Sequence, residues 1–114
     1  MKERRSVRVI PNPKTPITVA IEDEGLRTAY GVVANISEGG ACVLTDGRFE
    51  VGRNIGLQLS FAREPQPLDA HGVVVWGGPV RAGTEGMLRY GVMWTEAQPP
   101  AIRDRLRTLI TRSS

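Results

Sequence analysis

The sequence is poor in the residues from which cross-links, metal sites and membrane spans are built. It has one cysteine, Cys42, and one histidine, His71, among 114 residues. A single cysteine excludes a disulfide within the chain, and no cluster of metal-ligand residues surrounds the histidine. No run approaches the roughly 18 apolar residues of a membrane helix, and no apolar segment follows the charged N-terminus as in a secretory signal. We therefore expect a cytoplasmic protein with no cofactor and no membrane insertion.

Aromatic residues are also scarce, at 5% of the chain, and the basic residues are not interleaved with them. This composition disfavours a small barrel that binds nucleic acid through a basic groove lined with stacking aromatics. No glycine-rich phosphate loop with a following Lys-Ser or Lys-Thr is present, so nucleotide hydrolysis is unsupported and we do not expect an enzyme. The net charge of +3 permits an anionic ligand without requiring one.

Six short runs rich in β-branched or alternating apolar residues predict β-strands. Clusters of Gly, Asp, Asn and Pro separate them, and one such cluster, Gly77-Gly78-Pro79, is predicted to end the fifth strand. Short strands at this spacing predict an all-β barrel or sandwich. The runs are Ile17–Ile21, Thr28–Ile36, Ala41–Thr45, Ile55–Phe61, Leu68–Trp76 and Arg89–Trp94.

The two ends of the chain differ from this pattern. Closely spaced prolines oppose regular structure in residues 1–15, which we interpret as a flexible N-terminal arm, with the folded domain over residues 16–114. Near the C-terminus, Pro99 and Pro100 suit the start of a helix over about residues 98–112. An apolar stripe on that helix is predicted to pack on the strands, and it consists of Ile102, Leu106, Leu109 and Ile110.

The arm carries the pattern Arg-x-x-x-Arg. Arg4 and Arg8 are its ends, and Arg5 adds a further charge. A planar guanidinium makes a two-pronged contact with the O6 and N7 acceptors of guanine, or with phosphate oxygens. In an extended chain, residues four apart point the same way about 13 Å apart, so two such arginines can hold opposite sides of a compact ligand. A solvated basic N-terminus without a ligand is the alternative.

A polar turn sequence, Asn35-Ile36-Ser37-Glu38-Gly39-Gly40, lies between the second and third strand-like runs. Asn and Ser side chains hydrogen-bond the backbone of tight turns, and glycine permits close approaches that a Cβ would prevent. A well-formed turn alone therefore explains the pattern. In the functional alternative, Asn35 and Ser37 point outward and hydrogen-bond a ligand, while Gly39 and Gly40 leave room for it.

In this order and ahead of a run of strands, the two motifs resemble the signature of the PilZ domain. Trp76 at the end of a strand of valines and the late strand Arg89–Trp94 extend the resemblance over nearly the whole chain. The resemblance implies a mainly β fold, a six-stranded antiparallel barrel with a C-terminal α-helix. It also implies binding of the bacterial second messenger cyclic di-GMP by the residues Arg4, Arg5, Arg8, Asn35, Ser37, Gly39 and Gly40.

The leading hypothesis is a cyclic di-GMP receptor that signals to an unidentified downstream protein, in a bacterial process such as biofilm formation or motility. The ligand would order the arm against the barrel and so change the surface offered to the partner. A ligand-independent PilZ-like adaptor in motility or pilus assembly is the alternative. Trp76 and Trp94 are interpreted as core or rim aromatics, with base stacking by one of them as the second interpretation.

Overall fold

The fold consists of six β-strands and one α-helix in the computed structural model, which describes residues 9–12, 14–23, 26–62, 64–79, 86–95 and 100–113. Each strand-like run of the sequence overlaps one of the strands. The expected six-stranded antiparallel barrel with a C-terminal helix is confirmed. The elements are β1 (Thr18–Asp23), β2 (Leu26–Ile36), β3 (Gly40–Thr45), β4 (Asn54–Ser60), β5 (Leu68–Pro79), β6 (Leu88–Trp94) and α1 (Pro100–Ser113).

The strands pair antiparallel in the order β1-β2-β3-β6-β5-β4, and a ladder between β1 and β4 closes the sheet. Closure gives each strand a partner on both sides, which removes the exposed edges at which sheets aggregate. Because strand residues alternate between two faces, the barrel has an apolar interior and a continuous outer surface. Strands distant in the sequence, such as β3 and β6, thereby become neighbours on that surface.

The interior of the barrel is filled by aliphatic side chains, and α1 packs against the same core. Leu106, Leu109 and Ile110 of the helix are buried and belong to the cluster formed by the strands. The predicted packing of the apolar helix stripe on the barrel is confirmed for these three residues, while the side chain of Ile102 lies outside the described residues. Arg105 adds an ion pair to Glu64 in the β4–β5 connection, with 2.8 Å between the charged groups.

The prediction that Gly77-Gly78-Pro79 ends the fifth strand is wrong. The strand continues through these residues, which pair with Tyr90, Arg89 and Leu88 of β6. Gly77 is needed there because a Cβ would lie 2.7 Å from the ring of Tyr90. Proline is tolerated because it stands at the last position of the strand, where it interrupts no further pairing.

Tyr90 itself fastens the connection between β3 and β4 to the barrel. Its ring is buried and meets Phe49 edge to face, with 5.6 Å between the ring centroids. Its hydroxyl donates to the carbonyl of Gly47 at 3.2 Å and accepts from the amide of Phe49 at 3.0 Å. One buried hydroxyl thus satisfies two backbone groups of this loop.

Replacing Tyr90 with Phe is expected to lower the free energy of unfolding by about 1–3 kcal/mol, because the backbone groups of Gly47 and Phe49 lose their buried partner. Urea unfolding followed by circular dichroism measures the change. Tyr30→Phe is the matched control, since Tyr30 is 67% exposed on β2. Equal stability of the two variants would show that the Tyr90 hydroxyl does not hold the loop.

Candidate functional site

The second sequence motif forms a tight turn between β2 and β3, here called the signature loop (Ser37–Gly40). The amide of Ser37 donates to the carbonyl of Gly40 at 2.8 Å and closes the turn. Glu38 and Gly39 stand exposed at its tip. Asn35 is the last outward residue of β2 before the loop and is half-buried. The structure therefore brings together all four residues that the sequence assigned from this motif.

The expectation that the Ser37 side chain points outward is wrong. Ser37 is 3% exposed, and its hydroxyl accepts from the amide of Gly39 at 3.2 Å and donates to the carbonyl of Gly40 at 3.4 Å. A serine hydroxyl that binds the amide two residues ahead is a standard way to fix a turn. In the folded chain, Ser37 therefore shapes the signature loop from within.

Gly40 is required by the neighbouring strand. A Cβ on Gly40 would collide with the carbonyl oxygen of Val92 and lie 3.1 Å from the Cα of Met93, both in β6. That space is occupied by β6 backbone, and is not left open for a ligand as the sequence reasoning expected. Gly40 instead lets β3 and β6 approach closely at the base of the signature loop.

Trp94, at the end of β6, holds the signature loop from the other side. Its indole Nε1–H donates to the carbonyl of Ser37 at 3.1 Å, and its backbone amide donates to the carbonyl of Gly39 at 3.0 Å. Its ring packs against the core. The sequence indicated an aromatic rim residue at this position, but no local signal connects it with a motif that lies far away along the chain.

The described end of the N-terminal arm is joined to the same place. Val9 and Ile36 form an antiparallel bridge with backbone hydrogen bonds of 2.8 and 2.9 Å. Ile36 stands between Asn35 and Ser37, so the arm meets β2 inside the second motif. The predicted ligand-binding residues Arg4, Arg5 and Arg8 lie outside the described residues.

A row of four residues leads across the outer surface from the second motif to β5. Asn35 pairs with Cys42, Cys42 with Gly91, and Gly91 with Trp76. The neighbours of Cys42 and Gly91 along each strand are core residues, so these two positions face outward. Both residues face outward, are small, and are nevertheless buried. The middle of the row is therefore a shallow depression in the outer surface, which we call the floor.

Trp76 borders this floor and is 45% exposed. Its indole lies directly over Gly91, where a Cβ would collide with the ring. The guanidinium of Arg89 stands 5.9 Å from the centroid of the Trp76 ring, within the range of a cation–π contact. Sequence reasoning assigned no ligand-binding role to Arg89, Cys42 or Gly91, because their meeting depends on the pairing of β6 with both β3 and β5.

The row offers a flat aromatic surface with a cation beside it and a side-chain amide at the far end. Such a surface suits a planar, hydrogen-bonding and negatively charged ligand better than a reaction centre. Among the described residues, no group of three or more His, Cys, Asp or Glu side chains is arranged to hold a metal ion. The helix found in the described part of the chain is also too short and too polar to cross a membrane.

The signature loop also contacts the helix. Glu38 at its tip pairs with Arg107 of α1, with 3.3 Å between the charged groups. Both side chains are more than half exposed, so the pair contributes little to stability, about 0–1 kcal/mol. It nevertheless joins the tip of the loop to the exposed side of α1.

Comparison with known families assigns the fold. The family model described as the PilZ domain matches residues 2–112. The chain belongs to the PilZ domain family. The expected membership is thereby confirmed, and the match includes both sequence motifs as well as α1. The comparison with curated protein sequences gave no match.

Solved structures of PilZ proteins share this barrel. The PilZ domain of YcgR from Escherichia coli with c-di-GMP superposes with a TM-score of 0.76 at 12% identity, over 98% of this chain and 92% of that one. MotI/DgrA, an inhibitor of motility from Bacillus subtilis, gives 0.69 at 22% identity over 98% of this chain and 51% of its own. The K. pneumonia MrkH–c-di-GMP complex gives 0.75 at 12% identity over 97% and 52%. This PilZ chain thus spans about half the length of the latter two, and identities this low establish the fold alone.

Substituting Gly40 with Ala in this PilZ barrel is expected to destabilise it by about 1–3 kcal/mol, because the added methyl meets the rigid backbone of β6. Thermal and urea unfolding measure the loss. Gly78→Ala is the control, since a Cβ at Gly78 meets nothing within 4 Å. A Gly40 variant as stable as the control would mean that the two strands separate at little cost.

Proposed function

We propose that this PilZ barrel is a receptor for cyclic di-GMP that relays ligand binding to a partner protein. The observation that carries the proposal is the bridge between Val9 and Ile36. It fixes the residue directly after Arg8 beside the residue between Asn35 and Ser37. Because consecutive Cα atoms are about 3.8 Å apart, this anchor keeps Arg8 within reach of the second motif. This anchor supports the proposal that the two halves of the PilZ signature act together on one ligand.

The chemistry of the ligand fits the residues available. Cyclic di-GMP has two guanines, each with paired O6 and N7 acceptors, and two phosphates. In the proposed complex Arg4 and Arg8 make two-pronged contacts to guanine and phosphate, and Arg5 adds charge. Asn35 supplies a side-chain amide from the end of β2. Ser37, Gly39 and Gly40 contribute by shaping the loop that faces the ligand.

Trp76 provides a second region of contact in this proposal. Its half-exposed ring over Gly91 is a ready stacking surface for one guanine, and the Arg89 guanidinium beside it complements the ligand's negative charge. Base–aromatic stacking contributes about 1–3 kcal/mol per base. Because Cys42 has a small side chain, it leaves space on the outer surface between Trp76 and Asn35 for a planar ring.

The related structures support this ligand class. The YcgR domain and the MrkH complex, which share this barrel over nearly the full length of the chain, are described with c-di-GMP. MotI/DgrA is described as an inhibitor of motility. These descriptions apply to the relatives. For this chain they favour a binding protein that acts on other components, and they favour no catalytic role.

Signalling in this proposal comes from the arm and from α1. The ligand fixes the arginines of residues 1–8 against the barrel, so that the surface around Val9 changes when it binds. The ion pair between Glu38 of the signature loop and Arg107 of α1 offers a second route. A negatively charged ligand that binds at the loop would compete with Glu38 for Arg107 and so change the surface of α1. A downstream protein that recognises either surface would respond to the ligand.

One observation favours the alternative of a ligand-independent adaptor. The hydroxyl of Ser37 is needed for the hydrogen bonds of the turn. Glycine is needed at position 40 because the backbone of β6 leaves no space for a side chain. The second motif is therefore structurally necessary whether or not a ligand binds. In that case the barrel surface itself would dock a protein of a motility or pilus-assembly system.

Calorimetric titration with cyclic di-GMP, with GTP as the control nucleotide, decides between the two functions. A receptor gives saturable heat for cyclic di-GMP alone, and its stoichiometry distinguishes one bound molecule from a stacked pair. The melting temperature rises with ligand because binding stabilises the folded state. No heat and an unchanged melting temperature would leave the adaptor function and exclude the receptor.

Arg4→Ala and Arg8→Ala are each expected to weaken binding by about 5- to 150-fold, which corresponds to the loss of one two-pronged contact worth about 1–3 kcal/mol. Lys14→Ala is the matched control, because it removes one exposed positive charge from the same end of the chain. All three variants are expected to melt like the wild type in the absence of ligand. Equal affinities of the two arginine variants and the control would refute the assignment of these arginines.

Trp76→Ala is expected to reduce the affinity by about 5- to 150-fold through the loss of one stacked base. Tyr30→Ala removes another exposed aromatic ring, on β2 and away from the outer row, and is expected to leave the affinity unchanged. Titration of both variants measures the difference. If Trp76→Ala binds as tightly as the control, the guanine does not stack on this ring.

A further inference from the structure

We propose that Trp94 is a positioning residue for the ligand site, and that its indole N–H keeps the signature loop in the orientation that accepts an anionic ligand. The inference rests on the proposed function, because it assumes that the signature loop faces cyclic di-GMP. It concerns a residue that touches the loop and not the ligand. The evidence is the set of backbone hydrogen bonds that the loop makes with β6 and within itself.

Three carbonyl groups of the signature loop accept hydrogen bonds from protein donors. The carbonyl of Ser37 accepts from the Trp94 indole, that of Gly39 from the Trp94 amide, and that of Gly40 from the Ser37 amide. The carbonyl groups of Ser37 and Gly39 therefore point toward β6, and the carbonyl group of Gly40 points across the turn to Ser37. All three carbonyl groups are engaged by protein donors, and a carbonyl group turned toward the ligand instead would repel an anion.

Only one of the two hydrogen bonds donated by Trp94 requires a tryptophan side chain. The amide of Trp94 is part of the backbone of β6, so any residue at this position supplies the bond to Gly39. The bond to Ser37 depends on the indole Nε1–H, which is the single hydrogen-bond donor of the tryptophan side chain. Without the indole N–H, the carbonyl of Ser37 must accept a hydrogen bond from water, or the peptide group between Ser37 and Glu38 must rotate. Rotation would turn that carbonyl toward the ligand.

Trp94 is well suited to hold the loop because the residue itself is fixed. Its ring packs against the hydrophobic core, and its backbone pairs with Gly72 of β5. The preceding residue, Met93, pairs with Gly40 at the base of the loop. The only ion pair described between the loop and α1, Glu38–Arg107, is by contrast exposed on both sides. The indole bond is thus a more rigid restraint on the loop than the Glu38–Arg107 pair.

Two variants of Trp94 and one control test the proposal. Trp94→Phe keeps an aromatic ring but has no donor. Replacement of Trp94 by benzothienylalanine keeps the bicyclic shape and substitutes sulfur for the indole N–H. This second variant preserves the packing of the ring even if the smaller phenyl ring of Trp94→Phe does not. Tyr90→Phe is the matched control: it also removes one aromatic hydrogen-bonding group that holds a loop, but that loop contains Gly47 and Phe49 and lies outside the proposed site.

The expected result is a loss of cyclic di-GMP affinity of about 3- to 10-fold in both Trp94 variants, as for the loss of one hydrogen bond, and no loss in Tyr90→Phe. In the absence of ligand, amide resonances of Glu38, Gly39 and Gly40 should shift in the benzothienylalanine variant, whose ring hardly changes the magnetic environment. Wild-type affinity in both Trp94 variants, or an equal loss in Tyr90→Phe, would overturn the positioning role.

Failure of the proposed function gives a different pattern. A wild-type protein that does not bind cyclic di-GMP refutes the receptor, and the ligand-free amide resonances then decide the role of Trp94 separately. Shifted resonances confined to the signature loop would support the indole as the restraint on its orientation. Unchanged resonances would overturn that restraint as well.

Discussion

The close approach of β3 and β6 is the constraint on which the other features of this molecule depend. At Gly40 the backbone of β6 occupies the space of a side chain, and at Gly91 the indole of Trp76 occupies the space that a side chain of β6 would fill. The approach brings Trp94 within hydrogen-bonding distance of the signature loop. The pairing of β6 with β3 and β5 therefore sets both the orientation of the loop and the shape of the surface beside it.

The two motifs of the PilZ signature have different physical roles in this account. The residues of the second motif satisfy each other's backbone groups and those of β6, which keeps the loop in one conformation before any ligand arrives. Preorganisation of this kind lowers the entropy that binding must overcome. The arginines of the first motif are proposed to supply the charge. Binding strength would then depend on the first motif, and geometric selectivity on the second.

Two different kinds of contact attach α1 to the barrel, a buried apolar contact and an exposed ion pair. Leu106, Leu109 and Ile110 are buried in the common core, so the helix is held by apolar contacts that a change at the loop does not disturb. The pair between Glu38 and Arg107 is exposed and weak. In the proposed receptor, an anionic ligand would compete for Arg107 and so change the surface of the helix without unfolding it.

Much of the fold followed from local sequence patterns. Period-two alternation and turn residues predicted the strands, the apolar stripe predicted the packing of α1, and the resemblance to the PilZ family supplied the barrel and the motif residues. Local patterns could not show that β5 continues past Gly77, that the Ser37 side chain turns inward, that Trp94 bonds the signature loop, or that Arg89 stands beside Trp76. Those features depend on which strands become neighbours, and a residue's own sequence context does not encode the contact that a distant strand makes with it.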